Sequence, residues 1–279
     1  MEWKGRRGSR NIEDRRSAGV GRGGAVGGVG VIAVLLIGYF LGIDVTPLLD
    51  GGALPDQGGE LTEADREAGE FVSVTLADTE EVWGHVFPEQ VGRRYTPPVL
   101  VLYKGATQSP CGGASGATGP FYCPADRKVY LDTAFFTTMA RQLGAKGDFA
   151  AAYVVAHEVA HHVQNEIGIL GKANRVRQQS SQEDSNAISV RIELQADCLS
   201  GIWAREAEAR FGTLDRGDLE EAVNAARQIG DDTLQRNAGR RPMPHTFTHG
   251  TSEQRARWFL RGYKSGDMAQ CDTFAARNL

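Results

Sequence analysis

AYVVAHEVAHHVQNEIG, residues 152–168, is the stretch from which the rest of the chain is read. Three of the chain's six histidines (His157, His161 and His162) fall in it, around a single glutamate, Glu158, in an otherwise apolar run. The run reads as a buried helix. On a helix, His157 and His161 stand one turn apart on one face. Two imidazoles so placed can grip one zinc ion, and the adjacent Glu158 can reach its water. Without such a purpose, burying three ionisable groups in an apolar helix is costly.

A catalytic zinc takes three protein ligands and keeps one position open. The segment RIELQADCLSGIW (191–203) offers Glu193 and, one turn later on the same face, Asp197. Glu193 is the expected third ligand. Asp197 is expected to accept a hydrogen bond from the free ring nitrogen of a ligating histidine and so fix its tautomer. His162 points about 100° away from His161 around the helix and is expected to pack rather than ligate. His85 reads as structural. His245 and His249 lie in a loop before the last helix, where one of them, His249 by preference, could donate a hydrogen bond to a tetrahedral oxyanion. Tyr122 and Tyr130 are rivals for that task from the sheet side.

Composition frames these residues. The chain has 279 residues, 41% hydrophobic and 24% charged, ordinary values for a globular protein with a core. Its net charge of −4 is unevenly spread: residues 1–22 hold seven Lys/Arg and three acids, leaving 24 basic and 32 acidic residues for the rest. A body that acidic argues against nucleic acid as a partner. Residues 23–43 carry no charge. As a helix they would span about 31 Å, close to a bilayer core. The expectation is a polar, basic and disordered cytoplasmic arm (1–22), one transmembrane helix (23–43), a Gly/Pro-rich linker (44–60) and an extracytoplasmic domain (61–279). A cleaved signal peptide is the rival reading, although no A-x-A-like site directly follows the apolar run. Outside the cytoplasm the four cysteines suggest two disulfides. Of the three connectivities, the expected one joins Cys111 to Cys123 locally and Cys198 to Cys271 at long range.

Secondary structure is expected in two parts. A helix capped by Thr62 precedes short strands at 97–105, GPFYC (119–123) and KVYLD (128–132). Beyond Asp132 the pattern is helical: 133–143, a helix capped by Asp148 that carries the histidines to about Ile167, then 183–210, 214–230 and a last helix from Ser252. Residues 172–186 read as a loop or exposed helix.

The head MEWKGRRGSRNIEDRR, the span ending GYFLGID, and the segments GPFYCPADRKVYLD, HEVAHHVQ, ELQADCLSGIW and THGTSEQRARWFLRGYKSGD are spread over nearly the whole chain. Together they resemble the bacterial neutral zinc metallopeptidase family, zincins of the gluzincin type with glutamate as third ligand. The resemblance implies an α+β, mainly α, zincin-like domain with a small sheet packed on the H-E-x-x-H helix, anchored in a membrane. It implies one zinc per chain on His157, His161 and Glu193, with Glu158 as general base in the hydrolysis of a protein or peptide. The tail is similar to the T-H-P segment of membrane-associated gluzincins, with Gly250 in place of the proline. The substrate is expected to lie along an edge strand, 128–132 being the candidate. Two other readings stay open: a zinc-bound but inactive scaffold, and a hydrolase of another amide or ester.

Overall fold

Thr62 closes a capping box with Asp65. Its hydroxyl accepts the Asp65 backbone N–H at 3.1 Å, and the Asp65 carboxylate accepts the Thr62 N–H at 2.9 Å. The helix so opened, α1 (Glu63–Val91), stops at Gly92, which takes a left-handed φ of 74°. This computed structural model describes residues 1–17, 60–115 and 119–279.

A four-stranded sheet follows. Its order is β1 (Ile12–Asp14), β2 (Val99–Tyr103), β6 (Lys128–Asp132), β5 (Phe121–Cys123). β1 and β6 both run parallel to β2, and β5 is antiparallel to β6. Strand alternation sorts the side chains: Leu100, Leu102, Val129 and Leu131 face the main helical core, whereas Val101, Tyr103 and Tyr130 join Cys123 in a small second cluster. A separate hairpin pairs β3 (Ala106–Ser109) with β4 (Gly112–Ser115). The Cys111–Cys123 disulfide ties its turn to β5. The strand expected to offer an edge to substrate is an inner one. KVYLD is paired on both sides and has no free edge to offer a substrate; the outer strand beside the histidine helix is β5.

Seven helices complete the described part: α2 (Ala134–Arg141), α3 (Asp148–Glu166), α4 (Ile169–Arg177), α5 (Gln182–Phe211), α6 (Asp218–Gln228), α7 (Asp231–Asn237) and α8 (Ser252–Ser265). α3 lies between the sheet and the helical layer, against β5, β6, α1, α5 and α6. α5 and α8 pack closely enough that a Cβ on Gly262 would stand 1.8 Å from the Cys198 carbonyl oxygen. The Cys198–Cys271 disulfide crosses beside that contact. Both expected disulfides are present.

The head is not an unstructured arm. β1 pairs with β2, so α1 is the crossover of a parallel β-α-β unit. Several basic side chains of the head meet acids of α1. Arg6 makes a bidentate pair with Asp78 at 2.6 and 2.7 Å, and Lys4 pairs with Glu67 at 2.7 Å. Asn11 donates to Glu80 at 2.8 Å. Asp148 is the first residue of α3 rather than its cap; its carboxylate, with Asp215 and Asp218, surrounds the Met1 α-amine at 2.9–3.2 Å. Burial works against that charge, but the three carboxylates win and push the amine up to about 10.

The apolar segment 23–43 lies outside the described residues. Among those that are described, no helix is long and apolar enough to cross a membrane. Residues on either side of that segment share one sheet and one core. The single-pass topology, with head and domain on opposite sides of a bilayer, does not agree with that pairing.

Candidate metal centre

α3 brings His157 and His161 to one face, their rings 4.8 Å apart and nearly perpendicular. α5 crosses it and supplies Glu193. The Nε2 of His157 lies 3.0 Å from one Glu193 oxygen, and the Nε2 of His161 lies 3.5 Å from the other. The three donor atoms sit within 4.8 Å of one another. Tetrahedral ligands around zinc stand about 3.4 Å apart, so this set of two imidazoles and one carboxylate fits the ion. Burial works against a charged ring at His157, but its contacts with Asp197 and Glu193 outweigh that and raise it to about 9. Burial likewise opposes the Glu193 carboxylate, yet the two histidines hold it well below the ordinary range.

Asp197 is fully buried one turn beyond Glu193. Its Oδ1 stands 3.0 Å from Nδ1 of His157, an ion-pair distance off the hydrogen-bond direction; that nitrogen has no other partner among the described residues. Arg255, from α8, grips the same carboxylate through Nε (2.9 Å) and a terminal nitrogen (3.0 Å), and the Tyr153 hydroxyl donates at 2.5 Å. A buried bidentate arginine keeps such a carboxylate ionised despite desolvation.

Glu158 is buried beside the two ring nitrogens. Among the described residues its carboxylate has no hydrogen-bond partner, which leaves it free for a water. Burial raises its pKa, with the histidines pulling the other way.

His249 is half exposed. Its Nδ1 lies 3.3 Å from Asp231, whose second oxygen collects the backbone N–H groups of Thr248, His249 and Gly250 at 2.6–2.9 Å. Gly250, at φ 92°, takes a conformation in which a proline could not stand. Desolvation of its buried side lowers the His249 pKa, but Asp231 and the charge of Glu193 carry it above the ordinary value.

The remaining candidates fall elsewhere. His162 is packed between Tyr95 and Tyr122, with Nε2 2.7 Å from the Thr96 carbonyl and Nδ1 3.1 Å from the Tyr122 hydroxyl. Tyr122 is thereby occupied, and the Tyr130 hydroxyl donates to Asp126 at 2.6 Å. His85 pairs with Glu89 on α1, and His245 is exposed in a short turn. Sequence reasoning did not single out Tyr153, Gln164, Asp231 or Arg255. Tyr153 and Gln164 had a signal: they stand four before His157 and three after His161, on the motif's own face. Asp231 and Arg255 reach the site only through the packing of α7 and α8.

With this geometry in view, comparison with known proteins is direct. The chain belongs to the family described as "Putative neutral zinc metallopeptidase", whose pattern matches residues 1–274. It is 47% identical to the uncharacterized protein YpfJ of Escherichia coli K12 over 285 residues, covering 98% of this chain and 99% of the relative. It is 40% identical over 227 residues to the uncharacterized protein Rv2575 of Mycobacterium tuberculosis H37Rv, covering 76% and 74% of the two chains. No solved structure matches it.

Proposed function

We propose that this chain is a zinc endopeptidase that holds one ion on His157, His161 and Glu193. The observation that carries the reading is the convergence of those three side chains from α3 and α5 beside a buried Glu158 that has no hydrogen-bond partner among the described residues. When bound, zinc supplies Lewis-acid activation of a water and of the scissile carbonyl. Glu158 takes the water proton and passes it to the leaving amine; a carboxyl raised by burial suits both halves of that transfer at neutral pH. Asp197 orients His157, and Arg255 keeps Asp197 in place. His249, braced by Asp231, offers its ring N–H to the developing oxyanion. The outer strand β5 supports an extended substrate pairing backbone to backbone, with specificity left to a few side-chain pockets. Two disulfides support a location outside the reducing cytoplasm.

The test is zinc content and proteolysis measured together on the oxidised protein and on Glu158→Gln. The expected result is one zinc per chain in both and cleavage only in the parent. Zinc in both without cleavage of casein or peptide libraries would favour an inactive scaffold. A folded parent that takes up no zinc would refute the reading.

A further inference from the structure

Gln164 is completely buried on α3, three residues beyond His161. Its side-chain oxygen lies 2.8 Å from Nδ1 of His161. Its amide nitrogen is committed elsewhere, to the carbonyl of Ile192 at 2.8 Å and to Oε1 of Gln195 at 3.0 Å. Gln195, also buried, donates from its own nitrogen to the carbonyl of Cys271 at 3.0 Å.

Each link dictates the next. A side-chain amide has two N–H donors on one atom and acceptor lone pairs on the other. The Cys271 carbonyl only accepts, so Gln195 must turn its nitrogen there and its oxygen toward Gln164. That oxygen and the Ile192 carbonyl likewise only accept, so Gln164 must give its nitrogen to both and its oxygen to His161. An oxygen at Nδ1 requires that atom to carry the proton. The neutral ring then keeps its lone pair on Nε2, the atom facing Glu193.

We infer that Gln164 is a positioning residue that fixes His161 in the Nδ1–H tautomer, and that Gln195 fixes Gln164 from the backbone of the Cys198–Cys271 disulfide. This role rests on the proposed zinc site. The two histidines are thus held by unlike partners. His157 faces a carboxylate already neutralised by Arg255, and His161 faces a neutral amide. The amide orients its ligand without adding a negative charge beside the ion.

The test uses Gln164→Leu, Gln164→Glu and Gln195→Leu, with two readouts: zinc affinity by chelator competition, and the tautomer of His161 from ring-nitrogen NMR shifts in the zinc-free protein. Gln164→Leu removes the acceptor, and its zinc affinity is expected to fall about 10–100-fold, with His161 becoming a tautomer mixture. Gln164→Glu keeps an acceptor at Nδ1 while losing both donors. It is expected to keep the Nδ1–H form, whatever affinity or stability it loses because the Ile192 carbonyl and Gln195 Oε1 then face a carboxylate oxygen. Gln195→Leu should fall between the parent and Gln164→Leu, and it carries the same test if Gln164→Leu does not fold. Parent-like affinity and tautomer in folded Gln164→Leu would overturn the role. So would the same tautomer mixture in the Leu and Glu variants, since packing alone would then explain Gln164. A parent that binds no zinc would count against the proposed function, and the zinc-free tautomer would still decide the role of Gln164.

Discussion

Gly262→Ala should separate α5 from α8 and reach the metal centre through that movement. A methyl at Gly262 would stand 1.8 Å from the Cys198 carbonyl oxygen and 2.7 Å from its carbon, where ordinary contact begins at 3.4 Å. Both obstacles are backbone, so no side chain can swing aside. The helices must part by about 1.6 Å, the difference of those distances, or deform. Overpacking of this kind costs about 1–3 kcal/mol and sometimes more, against about 1 kcal/mol gained when alanine replaces a helical glycine. A clash on backbone belongs at the upper end, so the net loss is about 2 kcal/mol, or about 4–8 °C in Tm for a chain of this size. Arg255 lies two turns before Gly262 on α8, and its bonds to Asp197 are only 2.9 and 3.0 Å long. Parting the helices by that much breaks them. Zinc affinity should therefore fall along with stability. The control is Gly84→Ala on the exposed face of α1, where an added Cβ meets nothing within 4 Å. It should gain about 0.4–1 kcal/mol and leave zinc affinity untouched. The assays are thermal unfolding with and without zinc, and chelator competition. A Gly262→Ala protein with the parent's Tm and zinc affinity would refute the close-packing argument.

Three further outcomes are expected. His249→Ala should lower kcat about 100-fold or more with little change in KM or zinc content, because the ring is assigned to the oxyanion alone; a matching loss of zinc would contradict that assignment. Zinc uptake should release protons. The zinc-free His157 ring is held to about 9 and is protonated at pH 7–8, so calorimetry in buffers of different ionisation heat should show a release that fades as pH rises past 9; a pH-independent heat would count against it. Hydrogen bonds from Thr62, then the Lys104 ammonium, lower Asp65 from 3.8 to about 2. Its folded value lies below the unfolded one, so its contribution is complete above pH 4 and lost as pH falls toward 2. Lys104→Met should shrink that acid loss, as read from denaturant unfolding at pH 5 and pH 2.5.

What the sequence disclosed was local. The helix face shared by His157 and His161, the E-x-x-x-D step to Asp197, and the N-cap at Thr62 are all set within one or two helical turns, and each is where the spacing puts it. Elements whose signal lies far away were missed. NIEDRR has no apolar alternation, and Ile12 becomes a strand only because Leu100 accepts it 88 positions away. The polar hairpin ATQSPCGGAS is held by its pairing and by Cys111–Cys123. Arg255 reads as one more exposed charge of an amphipathic helix, yet it is 2% exposed because α8 lays it on Asp197.

The basic head shows why charge counted along a sequence can mislead. Cations beside an apolar stretch argue for orientation in a membrane only if they remain free to meet the cytoplasmic face. Here they have other partners. Arg6 is taken by Asp78, Lys4 by Glu67, the Arg16 guanidinium by Asp14 and the Asp65 carbonyl at the start of α1, and the Met1 amine by three aspartates around α3 and α6. Part of the positive charge of the head is thus matched by negative charge of α1, α3 and α6. It also has a place in the metal centre's support. Asp148, which the Met1 amine contacts, opens the helix that ends by presenting His157, Glu158, His161 and Gln164. Bracing the first turn of α3 restrains where its later turns stand against α5, and the three proposed ligands come from those two helices.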